Sequence, residues 1–183
     1  MNMETEVNIV SSPGVLGAVG VHSIHDVECW RDGKLAWSER NHNIVTTQGL
    51  NSILNVQFNG GTQITTWYIG IVETDTTATA AMTYATPVYT ESSAYAEATR
   101  PAFVEAASTV GVCTNSASKA DFTINASKTI YGTALVGGGS AATTKADTAG
   151  GGTLFAYAKF SAGKAVVATD VLKVTITITA ADV

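Results

Sequence analysis

Apolar and polar side chains alternate along much of this chain, and the alternation is cleanest near its C-terminal end. Leu172, Val174, Ile176 and Ile178 fall on one parity; Lys173, Thr175, Thr177 and Thr179 fall on the other. Successive side chains of a strand point to opposite faces, so 171–180 predicts a strand with one buried and one wet face. Shorter stretches of the same kind predict a strand over 21–31, a return strand over 34–39 and a third extended piece over 41–45. Asp32-Gly33, between the first two, is a two-residue hairpin signal. Further strands are predicted over 65–72, 94–97, 101–107, 117–125, 129–136 and 153–161, with Gly163 as a turn. In 65–72, Trp67, Ile69 and Ile71 share one face while Tyr68, Gly70 and Val72 share the other, which predicts cover on both sides.

One stretch changes period. Over 47–58, Leu50, Ile53, Leu54 and Phe58 recur at helical spacing, with Thr46 or Thr47 as N-cap and Asn59-Gly60-Gly61 as the stop. About eight or nine short antiparallel strands and one short α-helix predict a mainly β fold, an antiparallel β-sandwich of jelly-roll-like kind. Pro13-Gly14, Gly17 and Gly20 break up the beginning, so 1–20 reads as an extended N-terminal arm ahead of a sandwich domain over 21–183. Two segments read as flexible loops: 73–93, rich in Thr and Ala, and 137–152, GGGSAATTKADTAGGG with its flanking Gly.

Composition narrows the function classes. Charged residues make up 14% of the chain, against about 25% in ordinary globular domains. A surface with so little charge suits exposed Thr-rich strands or packing against other proteins. The net charge is −5 and no window clusters Lys or Arg, so nucleic acid is not an expected partner. Glu4 and Glu6 stand where a signal peptide carries positive charge, and no stretch approaches the roughly 20 apolar residues of a membrane span. The chain reads as one made and kept in the cytoplasm until assembled or released, with no membrane partner. Cys29 and Cys113 lack metal or redox spacing and read as free thiols on or near strands.

Candidate chemistry is sparse. His22, Asp26 and Glu28 share a parity, but His25 falls on the opposite one, so the two histidines do not converge on a metal. His42, in RNHN, lacks a nucleophile held by a strained turn. Gly163-Lys164 is followed by Ala165 and preceded by Ala158 where a phosphate loop needs Ser or Thr and Gly. Asp75, Glu91, Glu97 and Glu105 show no pattern that pairs two carboxylates. Asn125-Ala126-Ser127 is a formal glycosylation sequon without a secretory context. No catalytic, cofactor-binding or metal-ligating residue is assigned, no cofactor is expected, and the chain reads as no enzyme. Trp30, Trp37 and Trp67 read as core, and Tyr84, Tyr89 and Tyr95 as loop anchors or partner contacts.

Several blocks carry a resemblance. Trp37 to Leu54 reads WSERNHNIVTTQGLNSIL and leads into TWYIGI at Thr66 to Ile71. Together these resemble the front half of small virion proteins of tailed bacteriophages, in which N-x-V-T-x-x-G-L-N-x-x-L opens a helix ahead of a W-Y-x-G strand. Tyr95 to Arg100, YAEATR, is similar to the family's Y-x-E-x-x-R. ADFTI from Ala120, IYG from Ile130 and TDVLKVT from Thr169 are similar to its closing strands. The resemblance spans roughly 33–180, and its motifs are signatures of fold rather than of an active site. It implies a virion structural protein of the capsid decoration, or cement, type. Such a protein sits on the capsid surface, is assembled in the host cytoplasm, bridges major capsid protein subunits and associates with itself as a dimer or trimer. The alternative is a tail or baseplate β-sandwich that binds host-surface glycans, which predicts exposed, coplanar Trp or Tyr side chains.

Overall fold

A computed structural model describes residues 19–182. Residues 1–18 of the expected arm lie outside the described residues, whereas Val19 and Gly20 already belong to the first strand. β1 (Val19–Arg31) and β2 (Lys34–His42) form the expected hairpin. Its turn residues Asp32 and Gly33 have φ of 50° and 74°, the double positive φ of a turn whose twist matches that of the strands. β3 (Ile44–Val45) leads into α1 (Thr47–Phe58), capped by Thr46, whose hydroxyl accepts from the Gly49 amide. Then follow β4 (Trp67–Val72), β5 (Ala102–Phe103), β6 (Val112–Thr114), β7 (Ala120–Thr123), β8 (Lys128–Gly137), β9 (Thr153–Val166) and β10 (Val171–Asp182).

The strands make two antiparallel sheets. One runs β2-β1-β10-β6, with β7 also on β10; the other runs β3-β9-β8-β4-β5. Pairing is nested, β1 with β10, β3 with β9 and β4 with β8, so the chain rolls up on itself into a mainly β sandwich. Val27, Cys29, Ile69, Ile71, Phe122, Leu135, Leu172, Val174 and Ile176 meet between the sheets. In β10 Leu172, Val174 and Ile176 are buried on the predicted parity, with Ile178 half-buried, while Thr175 of the other parity is buried as well.

β4 is covered on both faces, as its sequence predicts. Ile69 and Ile71 enter the inter-sheet core, while Val72 joins Met82, Tyr84, Ala134, Val136, Leu154 and Tyr157 on the far side of the second sheet. That second cluster exists because 73–101 and 138–152 fold over the sheet as a third layer. The segment 73–93 contains no strand, but Met82, Tyr84, Glu91 and Ser92 within it are buried.

In detail the structure departs from the expectations. Gly163 does not end the strand; it lies within β9, in the bulge where pairing with β8 shifts register between Ile130 and Gly132, beside Tyr131 and Thr129. The segment 94–97 holds one isolated bridge, Tyr95 to Ile124, and 101–107 shrinks to the two residues of β5. β6, around Cys113, has too little alternation to be seen in the sequence. Finally, α1 seats Gly49 against the Phe155 backbone and half-buries Ile53, yet Leu50, Leu54 and Phe58 of its apolar stripe are exposed.

Candidate functional site

The residue types that could carry chemistry are consumed by the fold one after another. In β1, strand parity sends His25 inward and His22 outward. Asp26 and Glu28 share the outer face of His22, where Asp26 pairs with Arg40 at 3.5 Å and Glu28 with Lys119 at 2.8 Å. Glu28 also accepts from the Trp30 indole, and these partners, Lys119 first, hold its carboxyl below the usual range. Among the described residues, no three His, Cys, Asp or Glu side chains converge as a metal site.

His25 is fully buried between the sheets. Its Nδ1 meets the Thr133 hydroxyl at 2.7 Å across the sandwich, and burial pushes its pKa down to about 3. Asn41 is its cross-strand neighbour, and Asn43 accepts from the Ser23 amide one step along. Ser23 Oγ, His25 Nε2, Asn41 Nδ2 and Asn43 Nδ2 are buried without a hydrogen-bond partner among the described residues. This is a closed polar patch inside the sandwich, in which the Thr133 hydroxyl meets the imidazole and the Ser23 hydroxyl is buried without a partner. His42 closes β2 on its exposed side.

The four candidate carboxylates do not pair with one another. Asp75 binds Lys159 at 2.6 Å, and Glu97 accepts from the Thr123 amide. Glu105 is exposed near Cys113, whose half-buried thiol is raised by burial first and by that carboxylate second. Glu91 is buried against Arg100, with the closest contact at 2.6 Å. Arg100 uses every guanidinium N–H: its Nε and Nη2 donate to Glu91, and the remaining donors reach Tyr84 Oη and the Ala142 and Asp147 carbonyls. The cleft beside it, about 190 Å³ and lined by Tyr84, Tyr89, Glu91, Arg100 and Asp147, thus offers an anion no free arginine donor.

Asp170, within the TDVLKVT stretch, carries no chemical signal in the sequence, and it too is structural. It takes a bidentate grip from Arg31 at 2.7 and 2.8 Å, accepts from the Val167 amide and receives the Cys29 thiol at 3.6 Å. The Arg31 guanidinium holds its carboxyl below the usual range, and burial pushes the Cys29 thiol up to about 12. Both cysteines are free.

None of the six singled-out aromatics is exposed. Trp37 packs edge-on against Phe160 with its indole N–H on the Ala165 carbonyl, and Trp67 packs edge-on against Phe155. Tyr95 is buried against Phe122, and Tyr89 tilts over Tyr157. A coplanar stacking platform is not built from them.

Apart from the unpartnered polar atoms around His25, the uncommitted groups lie on the surface. The outer face of the first sheet presents Thr177 and Thr179 alongside charges that neutralise each other: Asp26–Arg40, Glu28–Lys119 and Asp121–Lys173. β2 has no strand on its outer edge among the described residues. α1 adds the apolar stripe of Leu50, Leu54 and Phe58. Among the described residues, no helix is long and apolar enough to cross a membrane. The comparisons add no relative: no protein family matches the chain, and no curated protein matches it either.

Proposed function

We propose that this chain is a non-enzymatic virion structural protein that decorates a bacteriophage capsid and stabilises it by bridging major capsid protein subunits. One observation carries the reading. The buried histidine, thiol, carboxylates and arginine make contacts within the fold, while a charge-balanced sheet face, an open edge strand and an apolar helix stripe are left for contact. The stretches that resemble phage virion proteins fit the same division. Arg100 of YAEATR and Asp170 of TDVLKVT hold loops, and the residues of WSERNHNIVTTQGLNSIL build β2, β3 and α1. Binding of this kind works through area and repetition. A standard contact buries about 1,600 Å², and symmetry multiplies modest contacts over a shell.

In this reading residues 1–18 reach a neighbouring subunit, where a segment added along the open edge of β2 would continue the sheet. Removing 1–18 and keeping Val19 tests the arm without touching β1. The expected outcome is a folded protein, by circular dichroism and thermal melt, that no longer co-sediments with purified undecorated shells while the full chain does. Truncated protein that still decorates would remove the arm from the mechanism. A full chain that never joins any phage particle would remove the capsid itself.

A further inference from the structure

From Asn41 to Val72 the chain contains no Asp, Glu, Lys or Arg, and α1 sits inside this neutral run with no acidic residue in its first turn and no basic residue in its last. A solvent-facing helix ordinarily carries charge on its outer side. Here the outer side carries Leu50, Leu54 and Phe58 instead, spaced four and four. Their exposure climbs along the helix, 38% at Leu50, 54% at Leu54 and 83% at Phe58.

We infer that this face is a two-fold contact between two copies of the chain, with α1 packing antiparallel against the partner's α1 and the symmetry axis passing near Leu54. The spacing is the first reason. A stripe with equal steps on either side of Leu54 maps onto itself when the helix is reversed, so Leu54 opposes the partner's Leu54 and Leu50 opposes the partner's Phe58. The exposure gradient is the second. Antiparallel pairing sets the most exposed side chain, Phe58, beside the least exposed of the three, Leu50, so each copy covers the other's uncovered helix end. Charge is the third. A two-fold axis brings each residue near its own copy, so charged side chains there would meet like charges. Asn51, Asn55 and Gln57 flank the stripe and are neutral groups that both donate and accept. Antiparallel alignment also opposes the two helix dipoles favourably.

The stripe is a row of residues four apart, the ridge that packs into the same ridge of another helix at a crossing of about −50°. Helices crossed so steeply touch over a short length, and a stable contact needs about 800 Å² per partner. The rest of the area lies beside Ile53, where a groove of about 300 Å³ is lined by Ile64, Trp67, Phe103, Cys113 and Ile178. The inference deepens the proposed function, because it rests on the self-association that the resemblance to phage virion proteins implies and gives it a surface and a symmetry.

The test uses the full chain and two readouts kept apart: mass in solution by sedimentation, and co-sedimentation with shells. The wild type is expected to run as a dimer. Leu54→Asp, which places a like charge twice on the axis, is expected to run as a monomer with unchanged circular dichroism. Leu35→Asp, on the similarly exposed Leu35 of β2 at 52%, is expected to remain a dimer. In a Cys113→Ser background, Leu54→Cys is expected to cross-link two copies under mild oxidation. A monomeric wild type, a Leu54→Asp variant as associated as the wild type, or an uncross-linked Leu54→Cys would overturn the two-fold. Dimers that follow these expectations but ignore shells would uphold the two-fold and count against the capsid reading alone.

Discussion

His25 gives the fold a proton-sensitive residue with a defined window. Its folded pKa is lowered from 6.5 to about 3 by burial, so the unfolded chain binds a proton there that the folded chain refuses. Stability from this residue is therefore whole above pH 6.5 and falls as the pH drops toward 3, by about 1.4 kcal/mol per unit. Carboxylates such as Asp170, held low by Arg31, lose their contribution only as the pH falls through their own lower range. Between pH 6.5 and about pH 5 the histidine term amounts to about 2 kcal/mol. Urea unfolding of the wild type against His25→Gln, which keeps a group able to reach Thr133, should show that slope in the wild type and its absence in the variant. Equal slopes would place the sensitivity elsewhere. At this scale the parity of β1 was enough to separate His25 from His22. Nothing in the sequence marked Thr133 as its partner or Arg31 as the partner of Asp170, because those pairs join residues more than a hundred positions apart.

Elements with strong local rules were legible and those without were not. α1 has the predicted bounds because its cap, its period and its glycine stop agree. Gly163 misled because glycine marks bulges as well as turns; here it sits in a bulge of β9, pairing with β8 resumes at Lys164, and Tyr131 fills the space a side chain would take. Leu50, Leu54 and Phe58 have the right period for burial, but period does not say which molecule covers the stripe. Thr46 joins the helix to the sandwich, its hydroxyl accepting from the Gly49 amide of the helix and donating to the Leu154 carbonyl of β9. Gln48 adds three more ties, accepting from the Tyr84 and Leu154 amides and donating to the Gly152 carbonyl. Thr46→Ala removes a cap and strands a buried carbonyl, at about 2 kcal/mol in all. A thermal melt should register it with the far-ultraviolet spectrum unchanged. A variant as stable as the wild type would mean that packing at Gly49, not the cap, sets the helix.

At the scale of the whole molecule, the sandwich followed from alternation while its third layer did not. A Thr- and Ala-rich segment looks like linker, and the cover over β4 and β8 depends on a few residues that close it: Met82 and Tyr84 below, Glu91 and Arg100 above. Gly70 makes room for that pair, since a side chain there would come within 2.9 Å of the Glu91 carboxyl. Arg100 then joins the layer together, because it binds Glu91 of one loop and the Ala142 and Asp147 carbonyls of the other. With the two side chains 2% and 6% exposed, removing the cation leaves a buried carboxylate and two carbonyls without donors. Arg100→Met should therefore cost about 3–5 kcal/mol. Pairing it with Glu91→Gln should recover part of that loss, since the stranded charge is gone. The damage should also be local. Limited proteolysis should cut Arg100→Met first within 73–99 and 138–152, with amide exchange in β1, β8, β9 and β10 still slow. Cleavage spread evenly over the chain would instead make the pair a part of the main core, and the loops would lose their standing as a separate layer.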